Sequence, residues 1–165
     1  MAHIRAMTRN DLGDVSRLLG ASWRRTYSPI MGAENTARLS DERHAPDALA
    51  AEIDDEDKMS FVVERGDGSI AGYAMAAMDR HGDVMLERLH IEPSEFGGGL
   101  AVDLLHAVLA AHAGIPSIAL EVIEGNDRAI AFCRKHGFEV VERREAAHGV
   151  GGHASLIMRR LLPRA

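Results

Sequence analysis

The sequence predicts an α/β domain built on a mixed, largely antiparallel sheet of about seven strands with about four helices. Three observations lead to this prediction. The chain of 165 residues has the length of one domain, and its 46% hydrophobic and 27% charged residues are typical of a globular protein. Seven short segments are apolar and rich in β-forming residues, while other segments repeat apolar residues at helical spacing. Glycine and proline separate these segments, so one domain spanning residues 1–165 is expected.

The first half of the chain is predicted to hold a strand, a helical region and then a hairpin. Alternation marks His3–Met7 as a strand, and Thr8 with Asp11 three residues later forms a capping box that opens a helix. Apolar residues of Leu12–Trp23 keep helical spacing, the segment Trp23–Tyr27 is expected to lie past that helix, and Pro29 and Gly32 are expected to break it. The remaining predicted elements of this half are a helical region at Glu34–Asp57 interrupted by Pro46, a strand at Met59–Glu64, a turn at Arg65–Ser69 and its partner strand at Ile70–Met78.

The second half begins with a strand, a glycine-rich turn and a helix in immediate succession. Val84–Ile91 is apolar and β-prone, Pro93–Phe96 forms a turn, and three glycines precede an amphipathic helix that begins at Leu100. The elements predicted after that helix are a stop at Gly114 and Pro116, a strand at Ser117–Ile123, a helix at Asp127–His136, and strands at Phe138–Arg144 and Ala154–Leu161.

Composition excludes several classes of protein. The formal net charge of −6 argues against a nucleic-acid binder, which needs a basic face to neutralise phosphates. The one cysteine excludes an internal disulfide framework and fits a reducing compartment. The N-terminus lacks an apolar signal region and no apolar run approaches the length of a membrane span, so a cytoplasmic location without membrane attachment is expected.

Gly97, Gly98 and Gly99 form the turn on which the functional interpretation depends. Glycine adopts backbone angles closed to other residues and lets a ligand approach the main chain closely. The first amides of the helix that follows have no partner within the helix, and the positive end of the helix dipole lies there too. This turn is therefore predicted to hold a pyrophosphate with backbone amides.

The residues around this turn can be compared with the patterns of known glycine loops. The nucleotide-hydrolase loop requires Lys and then Ser or Thr after its last glycine, where this chain has Leu100 and Ala101. The dinucleotide fingerprint would place Val102 at its third glycine, which fits poorly. The turn instead resembles the acetyl-CoA loop of the GNAT N-acetyltransferase superfamily, in which Gln or Arg, two residues, Gly, one residue and Gly or Ala follow one another. Phe96, Gly99 and Ala101 occupy those positions, and Phe96 departs from the polar residue usual at the first.

A second stretch, Ala119–Val141, resembles the downstream motif of the same superfamily. That motif is a strand followed by Asn, a helix carrying Ala-Ile and Phe, and a closing Gly-Phe. The matching residues, in order, are Leu120, Val122, Asn126, Ala129, Ile130, Phe132, Gly137 and Phe138.

The resemblance implies an N-acetyltransferase that moves the acetyl group of acetyl-CoA to a primary amine by direct attack in a ternary complex. It implies the GNAT fold, in which the sheet splays between the fourth and fifth strands and the cofactor occupies the gap. A small-molecule amine, of the polyamine type among others, is the expected acceptor, and a homodimer is compatible with the family. The residues expected to bind the cofactor are Leu89, His90, Ile91, Phe96, Gly97, Gly98, Gly99, Leu100, Ala101, Asn126 and Phe132.

Glu87 is the predicted general base. It alternates with Leu89 and Ile91 along the strand, which would place the three side chains on one face of the sheet beside the main-chain donor for the thioester oxygen. A carboxylate acting through an ordered water is equally compatible with the sequence. The alternative interpretation is a surface carboxylate paired with Arg88 or a neighbouring strand.

Cys133 stands where many members of the superfamily place a Tyr after the helix Phe. Three interpretations remain open: a packed side chain without a chemical role, a thiol that donates a proton to the leaving thiolate, or replacement by Tyr27, Tyr73 or His136.

Trp23 and Tyr27 lie in the region that often forms the acceptor wall in the superfamily; the alternative interpretation is that Trp23 is a core residue and the adjacent arginines are solvated. The nine histidines are scattered without the spacing of a metal site, so no metal is predicted. A protein of this fold that binds acyl-CoA as a sensor without turnover is the alternative function, suggested by Phe96 and Cys133.

Overall fold

A computed structural model describes residues 2–163 and confirms all seven predicted strands. These residues contain five α-helices rather than about four, because Pro46 starts a new helix instead of interrupting one. In chain order the elements are β1 His3–Ala6, α1 Leu12–Met31, α2 Ala33–His44, α3 Pro46–Asp54, β2 Lys58–Glu64, β3 Ile70–Met78, β4 Val84–Ile91, α4 Leu100–Ala111, β5 Ser117–Ile123, α5 Asp127–Lys135, β6 Glu139–Arg144 and β7 Ser155–Leu161.

The seven strands form one mixed sheet in the order β1-β2-β3-β4-β5-β7-β6. Every neighbouring pair is antiparallel except β4 and β5, which are parallel. That pair is joined only at Val84 with Ile118 and Met85 with Ala119, after which the two strands diverge. The sheet is therefore split at the predicted point, and the backbone of β4 beyond Met85 faces a gap instead of a neighbouring strand.

Helix α1 is longer than the sequence predicted. It continues through Trp23–Tyr27 and contains Pro29 in its last turn, where only one hydrogen bond within the helix is lost to the missing N–H. The predicted start is confirmed: the Thr8 N–H donates to the Asp11 carboxylate at 2.8 Å, and the two residues open a short 3-10 turn that leads into α1. The consequence is that Trp23 and Tyr27 lie on a rigid helix.

Two apolar layers cover the faces of the sheet. On one face α4 packs through Leu104 and Leu105 against β2–β4, and its approach is so close that a Cβ on Gly72 of β3 would lie 3.2 Å from the Leu104 side chain. On the other face α1 and α3 pack through Leu19 and Leu49 against residues that include Tyr73. No helix within residues 2–163 is both long and apolar enough to span a membrane.

Strand β4 contains a β-bulge at Glu87, since Ala76 pairs with Leu86 and the next residue of β3, Met75, pairs with Arg88. The extra residue breaks the alternation expected from the sequence. Leu86, rather than Glu87, shares the core face with Leu89 and Ile91. Glu87 is exposed at the point where β4 leaves β5.

Candidate active site

The divergence of β4 and β5 opens a cavity of about 630 Å³ that is bounded by α1, β4, the start of α4, β5 and α5. A second cavity of about 310 Å³ adjoins it on the side of α1 and α2. Both volumes lie in the range of small-molecule sites. The residues that line both cavities, and so form their junction, are Tyr27, Leu86, Glu87, Arg88, His90 and Glu121.

The glycine turn leaves a row of backbone amides without partners in the chain. Gly97 and Gly99 have φ angles of 83° and 86°, which side chains other than glycine rarely adopt. Only the Gly98 N–H is bonded within the turn, to the Glu95 carbonyl at 3.2 Å, and the first bonded amide of α4 is that of Asp103. In the described part of the chain no backbone bond uses the amides at 97, 99, 100, 101 and 102. The turn and first residues of α4 therefore fit a diphosphate.

Phe96 and Arg128 meet across the mouth of the large cavity. The Arg128 guanidinium carbon lies 3.4 Å from the centroid of the Phe96 ring, and both residues line the cavity. Phe96 belongs to the turn before α4 and Arg128 to the first turn of α5, so the contact bridges the two sides of the gap. The departure of Phe96 from a polar residue thus coincides with a cation held against its ring.

The exposed edge of β4 forms the wall of the large cavity with Leu89, His90 and Ile91. The His90 side chain points towards α1, where its Nδ1 lies 2.8 Å from the Ser22 hydroxyl. Burial, with the nearby charges of Arg88 and Arg25, lowers the pKa of His90 to about 4. His90 is therefore neutral at neutral pH and brings no charge to this wall.

Glu87 lies at the junction of the two cavities. A general base acting between a ligand in one cavity and a ligand in the other would have to lie at this place. The alternative pairing of Glu87 with Arg88 is not formed. Arg88 instead binds Glu52 of α3, with an Nη1 to Oε2 distance of 2.6 Å, and its Nη1 lies 3.3 Å from the Tyr73 hydroxyl. Within residues 2–163 no ion pair involves Glu87.

The four candidates for the thiolate proton donor lie in different places. Cys133 lines the large cavity but is buried, and burial raises the pKa of its thiol to about 11. Tyr27 lines both cavities, and burial raises the pKa of its phenol while the Asn126 side chain opposes that rise. Tyr73 is buried among core residues, and His136 packs its ring 4.5 Å from Phe132; neither lines a cavity.

Asn126 and Phe132 both reach the large cavity from α5 and its N-cap. The Asn126 Oδ1 accepts a hydrogen bond from the Ala129 N–H at 3.4 Å, which makes Asn126 the N-cap of α5. Ala101 also lines this cavity from the start of α4.

Trp23 is buried, as the core interpretation expects, and it also lines the small cavity. Its ring contacts Tyr27 edge-on at 4.8 Å and His44 at 5.1 Å, and the Arg43 guanidinium carbon lies 5.3 Å from its centroid. Burial, together with the charges of Arg88 and its neighbours, lowers the pKa of His44 to about 3. The wall of the small cavity is thus aromatic, with one cation fixed above it.

Four of the polar wall residues that the sequence did not predict are Ser22, Arg43, His44 and Arg128. They carry no motif, and three of them come from α1 and α2, which the resemblance covered loosely. Only Arg128 had a signal, because it lies two residues after Asn126 in the downstream motif. No group of three or more His, Cys, Asp or Glu side chains that could hold a metal occurs among the described residues.

The split sheet with a cavity at the split is the fold of N-acetyltransferases. The chain is similar to the crystal structure of the PaiA N-acetyltransferase from Thermoplasma acidophilum in complex with coenzyme A, with a TM-score of 0.85, 21% identity and coverage of 98% of this chain and 99% of that one. It is also similar to the ribosomal-protein-S18-alanine N-acetyltransferase of Escherichia coli, with a TM-score of 0.72, 20% identity and coverage of 100% and 96%. A spermidine N-acetyltransferase chimera from Vibrio cholerae and hSSAT gives a TM-score of 0.69 at 21% identity, with coverage of 97% and 95%.

The chain belongs to the acetyltransferase (GNAT) family, whose pattern matches residues 21–138. This match spans both motifs identified in the sequence and the residues that line the junction of the cavities. No curated protein matches the chain.

Proposed function

We propose that this protein is an acetyl-CoA-dependent N-acetyltransferase that acts on a small primary amine by direct transfer. The observation that carries the proposal is the junction of the two cavities, which Glu87 lines on both sides. The large cavity reaches Ala101 at the start of α4, where the first amides form no backbone bond among the described residues, and the small cavity has an aromatic wall. The neighbouring structure that contains coenzyme A supports the assignment of the large cavity to the cofactor.

The unbonded amides at 97 and 99–102 would bind the diphosphate, and Arg128 would add a positive charge beside them. The unpaired backbone of β4 from Leu89 to Ile91 would pair with an extended ligand arm as an added strand. A main-chain N–H of this segment would then donate to the thioester oxygen. Phe132 and Asn126 would close the opposite wall.

The chemistry follows from the side chains at the junction. Acetyl-CoA supplies a thioester whose acyl carbon bonds to the amine nitrogen as its bond to sulfur breaks. Glu87 takes the proton that the amine nitrogen must lose, directly or through one water. The Tyr27 phenol, which lines both cavities, gives its proton to the sulfur. Cys133 is buried with a raised pKa, which favours a packing role over proton donation.

Free CoA released in the presence of an amine panel, read with a thiol reagent, tests the proposal. The wild type is expected to release CoA with at least one amine, and Glu87→Gln is expected to reduce kcat by about 100-fold or more. Glu139→Gln is the matched control, since Glu139 is an exposed carboxylate of β6 that lines neither cavity. Equal kcat values in the two variants would remove Glu87 from the mechanism.

A comparison of two variants distinguishes Tyr27 from Cys133 as the proton donor to the sulfur. Tyr27→Phe is expected to lower kcat more than Cys133→Ala does, and the reverse order would assign the role to the thiol. The alternative function, an acyl-CoA-binding module without turnover, predicts thermal stabilisation by acetyl-CoA and no released thiol with any amine.

A further inference from the structure

The charges that face the small cavity determine which kind of amine it suits. Six ionisable side chains other than tyrosine line it: Arg43, His44, Glu87, Arg88, His90 and Glu121. His44 is buried and His90 is partly buried, and both have lowered pKa values, so they are neutral at neutral pH. Four charges therefore remain to be accounted for.

Two of these four charges are already engaged by neighbours. Arg88 is bound by Glu52 at 2.6 Å, and the pair is almost fully buried. Glu121 accepts a hydrogen bond from the Ser155 hydroxyl and lies 3.5 Å from the Arg144 guanidinium. Among the described residues, Arg43 and Glu87 take part in no ion pair. One free guanidinium and one free carboxylate thus face the same small volume.

The positions of Glu87 and Arg43 determine how an acceptor would be oriented in the small cavity. Glu87 lines both cavities, whereas Arg43 lines only the small one. The reacting amine must lie at the junction, beside Glu87, so the rest of the acceptor extends towards Arg43. Arg43 is also held in place, because its guanidinium lies over the Trp23 ring.

An acceptor with a second ammonium at this far end would face a fixed cation. Arg43 is exposed beside the cavity, so solvent weakens the repulsion between like charges, but the repulsion that remains would count against a polyamine. A carboxylate at the same place would accept charge-assisted hydrogen bonds from the guanidinium. The cavity of about 310 Å³ is at the small end of ligand sites, which suits a molecule of amino-acid size.

From the paired placement of Glu87 and Arg43, we infer that the acceptor is a small amino carboxylic acid, bound with its amine at Glu87 and its carboxylate at Arg43. This inference rests on the proposed acetyltransferase function and narrows its substrate class. The side chain or carbon skeleton between the two charges would contact the Trp23 and Tyr27 rings.

Matched acceptors test the inference. CoA release is measured with a panel of L-amino acids, with the primary amides of the same amino acids, and with putrescine and spermidine. For the best amino acid, kcat/KM is expected to exceed that of its amide by about tenfold or more, and both polyamines are expected to be poor acceptors.

Arg43→Met removes the charge and keeps an unbranched side chain over Trp23. It is expected to raise KM for the amino acid by about tenfold, leave kcat nearly unchanged and bring the ratio of acid to amide close to one. Arg38→Met is the control: Arg38 lies on the same helix, binds Asn35 and Glu42, and lines neither cavity. It is expected to keep the wild-type ratio.

The outcomes separate the two proposals. If the amides or spermidine are acetylated as well as the acids, or if Arg43→Met preserves the acid preference, the inference is wrong while the acetyltransferase function stands. If no amine of the panel releases CoA although acetyl-CoA raises the melting temperature, the proposed function fails and the inference fails with it.

Discussion

The pair between Glu52 and Arg88 gives the sharpest prediction about stability. Its atoms are 2.6 Å apart, and the two side chains retain only 12% and 14% of their exposure. Removing one partner of a buried pair leaves an uncompensated charge and costs about 3–5 kcal/mol. In Glu52→Gln the amide oxygen and the Tyr73 hydroxyl still accept hydrogen bonds from Arg88, so a smaller loss of about 2–3 kcal/mol is expected.

Urea denaturation followed by circular dichroism measures this loss. For a chain of 165 residues, it corresponds to a melting temperature lower by about 4–12 °C. The control is Glu42→Gln, which breaks the Arg38–Glu42 pair at 3.5 Å, where both side chains are more than half exposed. That change should cost about 0.5 kcal/mol or less. If both variants lose the same free energy, burial does not strengthen the Glu52–Arg88 pair and the reasoning is refuted.

Three further predictions follow from the core, the histidines and the cofactor site. Leu104→Ala, in the buried face of α4, should cost about 3 kcal/mol in urea denaturation, whereas Leu161→Ala on the exposed end of β7 should cost almost nothing. The free energy of unfolding should fall as pH drops from about 6.5 towards about 3, because in this range His44 binds a proton in the unfolded chain but not in the native protein, where its pKa is lowered. His44→Phe should flatten this fall, and an unchanged slope would contradict the assignment of the pH dependence to His44. Arg128→Ala should weaken CoA binding several-fold in calorimetry, and an unchanged dissociation constant would show that the cation over Phe96 does not reach the diphosphate.

The strands could be predicted because each one has a recognisable local sequence pattern. A continuous apolar run in β3, β-prone apolar residues in β4 and the glycines near their ends mark these strands locally, and both motifs of the resemblance are continuous segments. The split between β4 and β5 followed from that resemblance and is confirmed. The division of the chain into one domain, the acceptor and the roles of the site residues stay predictions.

What the sequence could not predict are contacts between distant segments. Glu52 and Arg88 are 36 residues apart, and nothing in either local pattern indicates that they pair. The bulge at Glu87 depends on how β3 and β4 align, so simple alternation assigned Glu87 to the wrong face. The extent of α1 was underestimated because Pro29 was expected to end it, although proline is tolerated where only the final turn is affected.

The separation of β4 from β5 leaves two strand edges in the middle of the sheet, each with carbonyl and amide groups that have no neighbouring strand. Free edges of this kind recruit other extended chains and are a route to self-association. A bound ligand that pairs with β4 would cover the free edge of that strand. The ligand would then reduce aggregation in addition to being a reactant. Protein stored with CoA is therefore expected to stay monodisperse in light scattering for longer than protein stored without it.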